Sequence, residues 1–467
     1  MFKSIFSNSF GILISRVTGL IRDILMTSVL GANMWSDIFF MAFKFPNLFR
    51  RIFAEGSFTQ SFIPSYIASR QKSVFAVAIF IRFMLFIVAL SLLVTLFPEF
   101  STKILAWDWG EDLISKTAPL TAINFWYLDL IFIVTFLGTL LQHKEHFFTT
   151  AFSTVWLNIA MVAALFLFSK SDPKTVVYAL SFSILIGGLF QVLTHIYAIR
   201  QKGLMKILIG GWKYRKIKEV KKEESKFGAL FFPSLLGNST AQIASFIDTS
   251  LASFLAAGSV SYLFYANRVF QLPFAIIALA ITTALFPTIA KAIKNENHIL
   301  AYKNLHKSFW LLSVLLGLSV LGGVLLAEPI IWLLFERGHF TIADTHNTAD
   351  VLMMYMVGLI PFGLAKLFSL YLYAMHKHLK AAKIAGVSLI INLIFSLLLM
   401  KPMGAAGLAL AGSIGGVVQL ILTAKEIGWG IVFNLLKTRY SLYFILGVGI
   451  FGVTFYSLNK FLLGIIR

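Results

Sequence analysis

Val74-Phe75-Ala76-Val77-Ala78-Ile79-Phe80-Ile81-Arg82-Phe83-Met84-Leu85-Phe86-Ile87-Val88-Ala89-Leu90-Ser91-Leu92-Leu93-Val94-Thr95-Leu96-Phe97 carries one charged residue, Arg82. A helix of about 20 apolar residues crosses the hydrocarbon layer of a bilayer. A barrel strand would alternate apolar and polar positions, and this run is apolar on every side. Comparable runs fall near 5–28, 36–60, 118–142, 148–169, 174–200, 226–252, 260–290, 308–335, 346–374, 382–400, 404–426 and 441–464, which makes about thirteen spans. Two of these are separated only by Lys401-Pro402-Met403-Gly404, a short break.

Composition agrees. Hydrophobic residues make up 58% and charged residues 13%, about half the charge of a soluble domain. Lipid can cover that much apolar surface and water cannot, so the chain reads as an all-α polytopic membrane protein. A net charge of +20 would suggest nucleic acid in a soluble protein. Here the lysines gather in short loops, so no nucleic-acid partner is expected. The absence of cysteine excludes disulfides, thiolate metal sites and cysteine nucleophiles. Met1-Phe2-Lys3 runs straight into a full-length span with no small-residue cleavage site, which reads as a retained helix.

With Lys3 inside, the inner loops are 61–73, 143–147, 201–225, 291–307, 375–381 and 427–440, and each holds lysine or arginine. The outer loop 98–117 carries Glu99, Asp108, Glu111 and Asp112 against Lys103 and Lys116, and 253–259 has no charge. The positive-inside rule therefore puts the N-terminus in the cytoplasm, and thirteen spans would leave Arg467 outside. The longest basic stretch, 201–225, divides an N-terminal six-helix bundle (1–200) from a C-terminal one (226–426), followed by an extra helix in 427–467. It reads as an anchor on anionic headgroups or as a docking and regulatory segment. The halves share a pattern. Phe62-Ile63-Pro64-Ser65-Tyr66-Ile67-Ala68 parallels Leu285-Phe286-Pro287-Thr288-Ile289-Ala290, and each half has an earlier cation before a proline, Lys44 before Pro46 and Arg268 before Pro273. Two repeats around a central cavity is a transporter plan.

Charges inside the spans carry the functional information. Arg16, Arg22, Lys44, Arg50, Arg51, Arg82, Arg268 and Lys366 stand against Asp23, Asp37, Glu55, Asp129 and Asp248, an excess of cations. A guanidinium at membrane depth costs roughly 2.5–3.5 kcal/mol on insertion scales, so it persists beside a wet cavity or an anion. Arg51 and Glu55 are four apart and pair on one helix face. Arg16, Arg22, Arg50 and Arg268 have no carboxylate three or four residues away, and a fixed excess of guanidinium suits phosphate oxygens. Snorkelling to the interface is the plainer reading for Arg22 and Arg50, and salt bridges to Asp37, Asp129 or Asp248 are another. Asp248 admits three readings: a salt-bridge partner, a proton or sodium site with Asn392 as a further ligand, or a cavity residue with neither role.

Other motifs carry little. Gly447-Val448-Gly449-Ile450-Phe451-Gly452 fits a dinucleotide fingerprint but lies inside an apolar span, where small residues serve helix contact. Asn238-Ser239-Thr240 also falls within a span, and His376 and His378 lack a third ligand. A glycosyltransferase would need catalytic acids in sizeable outer loops, and the longest here, 98–117, has acids but little else, which argues for a protein that is not an enzyme.

Ser15-Arg16-Val17-Thr18-Gly19-Leu20-Ile21-Arg22-Asp23 resembles the first-helix signature of the MurJ (MviN) lipid II flippases, in the multidrug/oligosaccharidyl-lipid/polysaccharide exporter superfamily. The likeness continues through Ser36-Asp37 to Lys44-Phe45-Pro46-Asn47-Leu48-Phe49-Arg50-Arg51-Ile52-Phe53-Ala54-Glu55-Gly56-Ser57-Phe58. It resumes at Ala257-Gly258-Ser259-Val260-Ser261, Tyr265-Ala266-Asn267-Arg268 and Gly338-His339-Phe340-Thr341. The resemblance implies two six-helix bundles, an N-lobe and a C-lobe, facing each other around a central cationic cavity. It also implies a substrate, the undecaprenyl-diphosphate-linked disaccharide-pentapeptide lipid II, flipped by alternating access across the bacterial cytoplasmic membrane. Another polyprenyl-diphosphate oligosaccharide, such as an O-antigen unit, is the alternative. The implied substrate residues are Arg16, Arg22, Arg50 and Arg268, with Asp23, Asp37, Lys44 and Glu55, and Asp248 matches a coupling-cation position. No cofactor is expected; the energy source is left between sodium, protons and the membrane potential. The expected partners are lipid II, membrane lipids and proteins of peptidoglycan synthesis, on a monomer. Two departures stand out. Asn267 replaces an aspartate common in relatives, which leaves Arg268 freer, and one helix follows span 12 where relatives have two.

Overall fold

The computed structural model describes residues 2–50, 57–215 and 220–466. Every regular element among them is helical, and the chain divides into two compact units, Met1–Phe246 and Ile247–Arg467. The first contains α1 (Phe2–Leu30), α2 (Met34–Phe49), α3 (Thr59–Ala68), α4 (Lys72–Leu96), α5 (Pro98–Leu105), α6 (Glu111–Phe125), α7 (Tyr127–His143), α8 (Phe148–Leu167), α9 (Pro173–Gln201), α10 (Met205–Tyr214) and most of α11 (Lys221–Leu251). The second continues with α12 (Ser259–Pro273), α13 (Ala280–Lys294), α14 (His298–Leu325), α15 (Ala327–Phe335), α16 (Ile342–Val357), α17 (Leu359–Ala374), α18 (His378–Ile427), α19 (Trp429–Leu436) and α20 (Arg439–Ile466).

Among the described residues, nine helical runs are long and apolar enough to cross a membrane. Among the helices outside that set, α1, α2 and α11 carry Arg16, Arg22, Asp37, Lys44 and Asp248.

Four details depart from the spans read in sequence. The segment 201–225 is not all loop, because α10 forms inside it and packs on α4. The segment 98–117, read as an outer loop, contains α5, started by Pro98 in the first turn, and 427–440, read as an inner loop, contains α19. Spans 11 and 12 join in one helical run, α18, in which only Gly404 leaves helical geometry, at φ 57° and ψ −136°. That conformation is open to glycine alone, so one residue makes the break where a short loop was expected. Finally, the unit boundary falls inside α11. Phe227 and Phe231 belong with Phe58, Phe62, Phe75, Phe83 and Phe132 in one aromatic cluster, with centroids 5.1–6.5 Å apart, and this ties the start of α11 to the first unit.

The repeat seen in sequence has a backbone counterpart. After Pro46 the helix widens to π-helical turns at Arg50 and at Ser57–Phe58, and after Pro273 the chain does the same at Phe274–Leu279. Proline removes a donor and clashes with the preceding turn, and wide turns of this kind often sit at functional sites.

Candidate functional site

Arg22 is where sequence reasoning and structure differ most. It is buried on α1 against α8, and it has a carboxylate partner: Nη2 and Nε donate to Asp23 Oδ1 at 2.6 and 3.0 Å. Adjacent helical residues point about 100° apart, so a search at three and four residues passed over Asp23. The long guanidinium folds back to reach it. Nη1 donates to Asn158 Oδ1 on α8 at 3.0 Å, and Asn158 Nδ2 returns hydrogen bonds to Thr18 Oγ1 and the Ser15 carbonyl. Asp23 and Asn158 are also buried, at 1% and 5% exposed. Arg22, Asp23 and Asn158 thus form a neutral clasp between two helices.

Arg16 lies on the same helix, less than two turns earlier, and is exposed. Among the described residues no hydrogen bond or ion pair holds it. Arg50 is oriented by Asn47, whose amide oxygen accepts from Nε at 3.2 Å and Nη2 at 3.0 Å. A neutral amide thus positions the guanidinium. Lys44 Nζ donates to Ser245 Oγ on α11 at 2.9 Å. Asp37 is buried in the first turn of α2, where the helix dipole favours a carboxylate. Glu55 and its expected partner Arg51 lie outside the described residues.

One acid offered as a salt-bridge partner and one of the intramembrane cations resolve differently. Asp129 accepts from Ser91 Oγ at 2.6 Å, and no cation pairs with it among the described residues. Arg82, counted among the intramembrane cations, pairs with Glu224 of α11 at 2.7 Å.

In the second unit, Arg268 sits over the Phe264 ring with 5.6 Å to its centroid, a cation–π distance. Asn267 accepts from the Gln271 side chain, so its oxygen is engaged along its own helix. Asp248 and Asn392, which nothing in the sequence brings together, meet: Asn392 Nδ2 lies 3.2 Å from Asp248 Oδ1. Ser396, one turn along α18, reaches the same oxygen at 3.4 Å and Asn392 Oδ1 at 3.3 Å. A carboxylate, an amide and a hydroxyl on one spot are oxygen donors of the kind a hard monovalent cation or a proton takes.

Sequence reasoning missed Asn158, Ser245 and Ser396, since long-range neutral partners leave no local signal. Asn47 could have been found, being three residues before Arg50, had amides been searched along with carboxylates.

These features describe an integral membrane protein with the fold of the multidrug/oligosaccharidyl-lipid/polysaccharide superfamily. An inward-facing multidrug resistance MATE transporter of that superfamily superimposes with TM-score 0.69 at 14% identity, over 93% of this chain and 99% of the other. A lipid II flippase MurJ in an inward closed conformation superimposes with TM-score 0.79 at 24% identity, over 98% and 99% of the two chains. The family described as lipid II flippase MurJ matches residues 26–463, and the chain belongs to that family. A relative from Helicobacter pylori described as a probable lipid II flippase MurJ is 48% identical over 428 residues, 89% of this chain and 93% of its own.

Proposed function

We propose that this protein moves lipid II from the inner to the outer leaflet of the bacterial cytoplasmic membrane by alternating access, without catalysing a covalent step. Family membership carries the reading, supported by 48% identity to the Helicobacter pylori relative. The organisation proposed is an N-terminal six-helix bundle (1–200), a basic segment (201–225), a C-terminal bundle (226–426) and a final membrane helix in 427–467, with the N-terminus cytoplasmic and the protein a monomer.

The proposed diphosphate ligands are Arg16, Arg50 and Lys44 of the first unit and Arg268 of the second. Arg16 is exposed, and Arg50 and Lys44 touch neutral polar groups, Asn47 and Ser245. A guanidinium meets phosphate oxygens in a bidentate contact and an ammonium in a point contact. Arg22 and Asp23 act one step back, fixing α1 on α8 so that Arg16 is presented at a constant height. Asp37 and Glu55 balance the cation excess. Asp248 with Asn392 is the proposed site for a coupling sodium ion or proton, and any charge moved also couples to the membrane potential, at about 2.3 kcal/mol per charge per 100 mV.

Depletion of the protein in its host, with lipid II quantified in each leaflet, tests this reading. Lipid II is expected to accumulate in the inner leaflet, and wild-type but not Arg16→Ala protein restores its export. Normal outer-leaflet lipid II in depleted cells would falsify the assignment.

A further inference from the structure

The basic segment contains a site of its own. α10 is a helix of ten residues with three distinct faces. Leu204, Leu208, Gly211 and Arg215 recur at helical spacing on one side, Met205, Ile209 and Trp212 on a second, and Lys206 and Lys213 on a third. The first side is held against α4 by backbone contact. A Cβ on Gly211 would come within 2.1 Å of the Ser73 carbonyl oxygen and 2.5 Å of Val77. The second side is apolar yet turned outward, with Ile209 62% and Trp212 60% exposed. A helix with an apolar face, a lysine face and a tryptophan at their border lies in the plane of a membrane interface.

Under this helix is an apolar crevice of about 160 Å³, walled by Val77 and Phe80 of α4, Ile133 and Leu137 of α7, and Leu208 and Trp212 of α10. The Arg215 guanidinium stacks on the Trp212 ring at 3.4 Å from its centroid, and its buried Nη1 has no hydrogen-bond partner among the described residues. An unanswered guanidinium nitrogen beside an apolar slot is complementary to one class of membrane molecule, with a phosphate at one end and a hydrocarbon chain at the other.

We propose that α10, α4 and α7 form a binding site for an anionic phospholipid, with an acyl chain in the crevice and the phosphate on Arg215. None of the residues that form the site is among the cations assigned to lipid II. The bound lipid fastens the basic segment to the bilayer surface at the start of α4.

Native mass spectrometry of the full-length protein, delipidated and then titrated separately with phosphatidylglycerol and phosphatidylcholine, tests the proposal. Wild-type protein is expected to retain phosphatidylglycerol preferentially. Arg215→Gln is expected to weaken that retention about tenfold, the worth of one charge-assisted hydrogen bond, with phosphatidylcholine unchanged. Ile133→Trp fills the crevice from α7 and leaves every cation in place, and it is expected to lose the same lipid while melting as wild type in lipid-free detergent. Retention equal to wild type in both variants would overturn the site. So would an equal loss in Arg215→Gln and in Lys206→Gln, since that outcome reports diffuse attraction to the lysine face.

Discussion

Arg16 and Arg22 have the same side chain on the same helix and differ in what they touch. Arg22 is neutralised by Asp23 and locked to Asn158, whereas Arg16 is exposed. Removing one member of a buried ion pair strands the other charge, at a cost of about 3 kcal/mol or more. Arg22→Ala and Asp23→Asn are therefore expected to lower the unfolding free energy in detergent by about that amount. Arg16→Ala should stay within about 0.5 kcal/mol of wild type while abolishing export. An Arg16→Ala protein that melts early would put it with the structural residues instead. A pH effect belongs at this scale too. His146, in the loop between α7 and α8, has its pKa held below the usual histidine value by burial and then by the Lys202 charge, and its Nε2 meets Thr149 Oγ1 at 2.7 Å. The folded protein thus binds this proton less readily than the unfolded chain. Stability is full above the unfolded value of about 6.5 and declines as pH falls from there through the lowered folded value. Melting temperatures measured from pH 8 to 5 should fall less for His146→Gln than for wild type. Parallel profiles would remove His146 from the explanation.

At the scale of the element, one device closes four of the loops that the charge rule places inside. After α7, α9, α13 and α17 the chain turns through a left-handed residue: Glu145 at φ 56°, Gly203 at 68°, Glu296 at 54° and His376 at 59°. In each the following amide bonds back five residues, His146 to Leu141, Leu204 to Ile199, Asn297 to Ala292 and Lys377 to Leu372, at 2.9–3.0 Å. This is a Schellman end, and only one of the four uses the residue best suited to it. A side chain in the left-handed region costs roughly 1–2 kcal/mol, partly offset by the extra freedom glycine has when unfolded. Glu145→Gly, Glu296→Gly and His376→Gly should each stabilise by roughly 0.5 kcal/mol, and Gly203→Ala should destabilise by about 1 kcal/mol, read as shifts in melting temperature. The same contrast explains what was legible here. Apolar runs and loop charges located most spans, because lipid demands length and hydrophobicity from each helix separately. α5, α10 and α19 escaped, being short and stabilised by contact with longer helices.

At the scale of the whole molecule the outer solvent is hydrocarbon. Ile445, Ile450 and Phe461 on α20 are about two-thirds exposed, which would be a liability in water and is the ordinary state of a lipid-facing helix. Polar residues then become the rare, informative ones inside the membrane, and the Asp248, Asn392 and Ser396 cluster is the one with which energy coupling can be tested. In liposomes, substrate movement by wild-type protein is expected to respond to a sodium or pH gradient. Asp248→Asn should abolish that response and leave lipid II binding intact. A gradient response preserved in the variant would move coupling elsewhere, with the membrane potential as the remaining source.

The sequence by itself determined the membrane class, most of the spans, the excess of intramembrane cations and the family resemblance. Each of these is a property of one segment read against lipid or against a motif. Only the tertiary structure decided which charges are spent on the protein's own framework. Arg22 is neutralised by its neighbour, Arg82 by Glu224, and Asp129 meets a serine, with no cation among the described residues. It also placed Asn392 on Asp248 across 144 residues of chain. The physical reason is that a charge's cost in a membrane depends on what lies within a few ångströms of it, and in a helical bundle those neighbours come mostly from other helices.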